Sequence, residues 1–147
     1  MTQAERERRH QARLAQIDTV LVVAGRGDRS RPDHEATLLE RARMMGEEIG
    51  SHRATERGLE AFDRLLQVLE ERGNRDGQAV GEFVDALWNR RPLPLIALRV
   101  ADRTLGDDML AVLDAFRYAR LDLVEHVRGG PMRLQRLLAR QARLPAR

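Results

Sequence analysis

The chain has 147 residues, 42% of them hydrophobic and only 3% aromatic, and 26 basic against 23 acidic residues leave a net charge of +3. That length suits a single domain, no clean apolar run is longer than the five residues of Val20–Ala24, too short to cross a bilayer, and the charged start Met1–His10 does not resemble a secretory leader. Cysteine and lysine are both absent, which excludes disulfides, thiol nucleophiles, cysteine-bound zinc, iron–sulfur clusters, P-loops and Schiff-base chemistry, and suits the cytoplasm.

Every basic residue is therefore arginine: permanently charged and able to fork onto carboxylates or phosphates. The charge is also segregated. Residues 1–31 carry +3, residues 32–125 carry −6, and residues 126–147 carry +6 with no acid after Glu125. An acidic body with two basic ends is expected to meet nucleic acid or an acidic protein surface.

In chain order, the Thr2-Gln3-Ala4-Glu5 capping box opens a helix, and Leu14, Ile17, Leu21 and Ala24 continue it at helical spacing as far as Gly25. Thr19–Val23 is rich in β-branched residues and also suits a strand, but the helix is preferred because no second strand offers a partner. Gly25–Pro32 reads as a loop. A second helix is expected from Asp33 to Ile49, with Leu38, Ala42, Met45 and Ile49 facing inward. Thr55 then caps a third, with Leu59, Phe62, Leu66 and Leu69 as its buried face. A turn over Gly73–Gly77 leads to a fourth helix from Gln78, on which Val80, Phe83, Val84, Leu87 and Trp88 form a core-facing stripe. Arg91-Pro92-Leu93-Pro94 breaks it. Thr104 is expected to cap a fifth helix with Met109, Val112, Leu113 and Phe116 inward, followed by a short turn near Leu121–Val127. A last helix opens at Pro131. The expected fold is all-α: one helical bundle or orthogonal array of about five main helices, with a basic N-terminal helix and loop over 1–31, an acidic core over 32–128 and an arginine-rich helix over 129–147.

Between residues 57 and 128, Gly58-Leu59-Glu60-Ala61-Phe62, then Asp76-Gly77-Gln78, Trp88-Asn89 and Asp107-Asp108-Met109-Leu110 follow one another. This pattern resembles an uncharacterised family of small helical domains carried on plasmids and on integrative and conjugative elements of proteobacteria. Members of that family carry an aromatic and acidic segment where this chain has Leu93-Pro94-Leu95-Ile96-Ala97. The resemblance implies a mobile-element setting and no particular chemistry.

The chemical candidates are few. Asp102, Asp107 and Asp108 could hold a divalent cation, but capping and the helix dipole explain acids at a helix start. His10, His34, His52 and His126 share no metal-ligand spacing. The arginines stand out more. Arg133, Arg136, Arg140, Arg143 and Arg147 recur at alternating spacings of 3 and 4, which confines them to roughly a quarter turn of helix. Arg6, Arg9 and Arg13 mark the basic N-terminal helix. The expected function is non-catalytic binding of a macromolecule by these arginines, with no cofactor and no metal. The alternatives are a protein-binding inhibitor of a host defence complex, of the anti-CRISPR kind, and a metal-dependent enzyme centred on the three aspartates. A homodimer built on the N-terminal helix is also expected.

Overall fold

The computed structural model describes residues 1–71, 73–100 and 102–144. Among these, seven α-helices, one two-stranded hairpin and a 3-10 turn over Gly27–Arg29 form the secondary structure, in line with the all-α expectation. The chain divides into two compact units, residues 1–53 and 54–147.

The first unit opens with α1 (Gln3–Ile17). Its capping box forms as the sequence predicts: Thr2 accepts from the Glu5 N–H, and Glu5 accepts from the Thr2 N–H. The helix stops at Asp18, short of the expected Gly25. The β-branched segment instead supplies β1 (Val23–Ala24), which pairs antiparallel with β2 (Arg31–Pro32). The strand partner is an Arg-Pro pair, which carries no strand signature. It is tolerated because both strands of a hairpin are edges, where a missing N–H is harmless. Gly25 makes the turn possible at φ +92°, and a Cβ there would lie 2.5 Å from the Arg29 carbonyl oxygen.

The two helices expected at 33–49 and from 55 are one continuous helix, α2 (His34–Glu70), 37 residues long. Asp33 starts it by accepting from the Ala36 N–H at 3.0 Å. Gly50 and Ser51 do not interrupt it, since a mid-helix glycine costs only about 1 kcal/mol. Thr55 lies buried within it and caps nothing. Residues 34–53 of α2 belong to the first unit. There the hairpin is tied to the helix: Thr37 Oγ1 accepts from the Val22 N–H at 2.9 Å, and Arg41 Nε donates to the Val20 carbonyl at 2.8 Å. The expected inward face does not form. Leu38 is 67% exposed, and Ala42 and Ile49 also face solvent.

The second unit holds the apolar core. Leu59, Phe62, Leu65, Leu66 and Leu69 of α2 pack with Val80, Phe83 and Val84 of α3 (Gly77–Asn89). After the Pro92 and Pro94 break comes the short α4 (Ala97–Val100), and then α5 (Arg103–Tyr118), which contributes Met109, Val112 and Ala115 to the core. Asp102 caps α5 by accepting from the Thr104 N–H, so Thr104 lies inside the helix and is not its cap. Phe116, expected inside, is 67% exposed because α5 turns Ala115 inward at this level, against Gly58 of α2. Gly58 permits the close crossing of α2 and α5, where an added Cβ would come 2.1 Å from the Ala115 methyl. Helix α3 closes at Arg90, a non-glycine residue in the left-handed region at φ 54°. Two further helices complete the unit, α6 (Leu123–His126) and α7 (Gly130–Ala142), with Pro131 in the first turn of the latter. Leu134 and Leu137 of α7 enter the core, and Gln141 lies against Gly77 and Gly81 of α3.

Candidate binding surfaces

Periodicity alone places the C-terminal arginines on one arc, and packing divides that arc in two. Arg133 and Arg140 fall on the side toward α2. The Arg133 side chain is only 10% exposed. Its Nη1 donates to Asp63 at 2.6 Å and to the Arg128 carbonyl at 2.8 Å, and its Nε donates to Glu70 at 2.6 Å. Burial works against the Arg133 charge, but the hydrogen bonds to Glu70 and Asp63 outweigh it and hold the pKa above its ordinary value. Arg140 donates through Nη2 to the Leu69 carbonyl. That oxygen is among the last four of α2, which have no partner inside their own helix. The last turn of α2 contains no basic residue of its own, so α7 supplies both a donor and positive charge to the negative end of its dipole. Arg136 and Arg143 lie on the outer side of the arc and are exposed. Arg147 lies outside the described residues.

On α1, Arg9 and Arg13 are exposed. Arg13 approaches Glu48 at 3.7 Å, and Arg6 donates to the Met1 carbonyl at 3.1 Å.

The three aspartates have separate roles. Asp102 is the α5 cap, and Asp107 is exposed. Asp108 is buried and accepts a fork from Arg64, with Nη2 at 2.9 Å and Nε at 3.1 Å. This pairing raises the Arg64 pKa. Asp108 lies beyond the first turn of α5, so the helix dipole expected from sequence does not account for it; it is the acid of an ion pair across the second unit. Among the described residues, no group of three or more histidines and carboxylates is arranged to hold a metal ion.

One cluster escaped the sequence reading. His10 of α1 and His52 of α2 stack with ring centroids 4.0 Å apart and 5° between planes. His10 Nδ1 lies 3.0 Å from the buried Glu48, and His52 Nε2 lies 2.8 Å from Glu7. The hydrogen bonds from Gln11 and His52 hold the Glu7 carboxyl below its ordinary range. Four side chains thus bind α1 to the first part of α2. The local signal was present as two acid–histidine pairs at helical spacing, Glu7 with His10 and Glu48 with His52; only the antiparallel packing of two helices joins them.

Apolar and aromatic side chains also reach the surface. In the second unit Phe116 and Tyr118 are exposed, and the Arg117 guanidinium lies 4.3 Å from the Tyr118 ring centroid. In the first unit the exposed set is Met1, Leu21, Val23, Leu38, Leu39 and Ile49.

A family model matches residues 59–142, more than half of the chain. The chain belongs to DUF7673, a family of unknown function. The match begins at Leu59 and takes in most of the second unit, including α7, which the resemblance seen in the sequence had left out. No curated protein and no solved structure gives a match. No helix among the described residues is long and apolar enough to cross a membrane.

Proposed function

We propose that this is a non-catalytic accessory protein of a mobile genetic element that binds nucleic acid through solvent-facing arginines. The observation that carries this reading is the outer arc of α7. Arg136 and Arg143 stand exposed two turns apart, in a segment with no acid after Glu125. Their neighbours Arg133 and Arg140 fix the helix to α2, so the outer pair projects from an anchored support. Guanidinium groups held this way fork onto phosphates without regard to base sequence. Arg9 and Arg13 give α1 a second basic surface of the same kind. The mobile-element setting rests on the Trp88-Asn89 and Asp107-Asp108-Met109-Leu110 motifs.

Fluorescence anisotropy on labelled DNA and RNA tests this reading. Arg136→Ala and Arg143→Ala should each lower the slope of log affinity against log salt by about one unit, evenly across sequences, with melting temperature unchanged. Absence of binding by the unmodified protein at about 50 mM salt overturns it.

A second reading, a protein-binding inhibitor of a host defence complex, is favoured by Phe116, Tyr118 and Arg117. Exposed aromatics beside arginine are the composition of protein-binding hot spots. Phe116→Ala would then abolish partner binding while leaving the salt slope on nucleic acid untouched.

A further inference from the structure

Within the first unit α2 presents an apolar row to solvent. Leu38, Leu39, Ala42 and Ile49 are exposed and Met45 is half-buried. The spacing of Leu38, Ala42, Met45 and Ile49 keeps them within an arc of roughly 60°. Charge is drawn away from this row, since Arg43 forks onto Glu40 at 2.6 and 3.0 Å and reaches Glu47 at 2.6 Å on the far flank. Gly46 borders the row, with open space where a Cβ would stand. At the two ends of the row are Glu35 and Arg53, both exposed. They are separated by five turns, about 27 Å, at the same angle around the helix.

This arrangement reads the same in both directions about Met44, to within one residue. Glu35 mirrors Arg53, Leu38 and Leu39 mirror Ile49, and Ala42 mirrors Met45 and Gly46. A two-fold axis through the centre would set each Glu35 against Arg53 of the other copy. It would lay the leucines on Ile49 and bring the helices closest at Ala42 and Gly46, where side chains are small. A parallel pairing would oppose Glu35 to Glu35. We propose that this face is the contact between two copies of the chain, docked antiparallel through residues 35–53 of α2. The contact is isologous, as two-fold dimers require. One helix face of this length falls well short of the roughly 800 Å² per partner of a standard interface, so the dimer is weak, with a Kd of about 10–100 µM.

Sedimentation velocity on the full chain, from about 1 µM to 1 mM, tests the proposal. The expected result is a shift from monomer to dimer across that range. Ile49→Asp should weaken association at least tenfold with unchanged helicity and melting temperature in dilute solution. Glu35→Arg should also weaken it, because two arginine pairs then oppose each other, and adding Arg53→Glu should restore it by re-forming both pairs in reverse. A chain that stays monomeric to about 1 mM, a dimer that tolerates Ile49→Asp, or a double charge reversal that fails to rescue each overturns the proposal.

Discussion

Residues 54–147 bury Phe62, Phe83, Leu65, Leu66, Leu69, Met109 and Leu134 almost completely, whereas residues 1–53 bury His10, Ile17, Thr37 and Glu48, three of them polar. The two units obtain their order from different physics. Apolar burial is non-directional and contributes about 1.5–3 kcal/mol for each large side chain, so it tolerates small shifts in position. A polar interior contributes only about 1 kcal/mol net per hydrogen bond and penalises any group left without a partner. The first unit therefore depends on particular atoms, and the leucines of its long helix remain available for contacts outward.

The sharpest test of this contrast is truncation. Phe62→Ala should cost about 3–5 kcal/mol in urea unfolding, the loss of a fully buried aromatic plus its cavity. Leu38→Ala, in dilute solution, should change stability by less than about 0.5 kcal/mol. Equal costs would mean that the apolar row of α2 is covered and the contrast is false.

The arginines of α7 give an intermediate effect. Arg133→Ala removes the partner of Asp63 and Glu70 and should cost about 2 kcal/mol, while Arg136→Ala should cost no more than about 0.5 kcal/mol. Thermal melts of the two variants side by side separate an anchoring arginine from a solvent-facing one. In the first unit, Thr37→Val leaves the Val22 N–H without its side-chain acceptor and should cost about 1 kcal/mol. The loss should register as faster amide exchange over residues 20–37, with residues 59–69 unaffected.

The smallest effect is one of pH. The Glu7 carboxyl is held below its ordinary range by hydrogen bonds from Gln11 and His52. A depressed folded-state pKa contributes stability that is complete above the unfolded value and is lost as pH falls through the folded one. Protection of α1 amides should therefore decline below about pH 4.5 in the unmodified chain, and Glu7→Gln should remove the part of that decline owed to this carboxyl. An identical pH profile in the variant would show that the Glu7–His52 contact does not matter.

The second unit was the more legible in sequence. The stripe from Val80 to Trp88, the face from Leu59 to Leu69 and the Thr2–Glu5 capping box are local patterns that local structure fulfils. Three features of the first unit escaped for physical reasons. Periodicity registers an apolar face without saying what lies against it, so Leu38, Ala42, Met45 and Ile49 read as core although solvent meets them. Gly50 and Ser51 resemble a helix break, yet the cost of one glycine is small against 37 residues of continuous hydrogen bonding. His10 and His52 stand 42 positions apart, and no spacing rule links residues that meet only through tertiary packing. The arginine arc was legible as an arc; which half of it α2 would claim depended on Asp63, Glu70 and the carbonyl end of a helix whose full length was not apparent.

Arg90 closes α3 in a backbone region that glycine enters freely and that other L-residues enter at a cost of about 1–2 kcal/mol. The second unit therefore folds below the stability its own backbone would allow. Natural chains commonly sit just above the threshold they need and leave improvements of this kind unused. Arg90→Gly is accordingly a route to a hardier protein. In a unit of this size, each kcal/mol recovered raises the midpoint of thermal unfolding by about 4–8 °C, with the core, the α7 anchors and the outward face of α2 all left as they are.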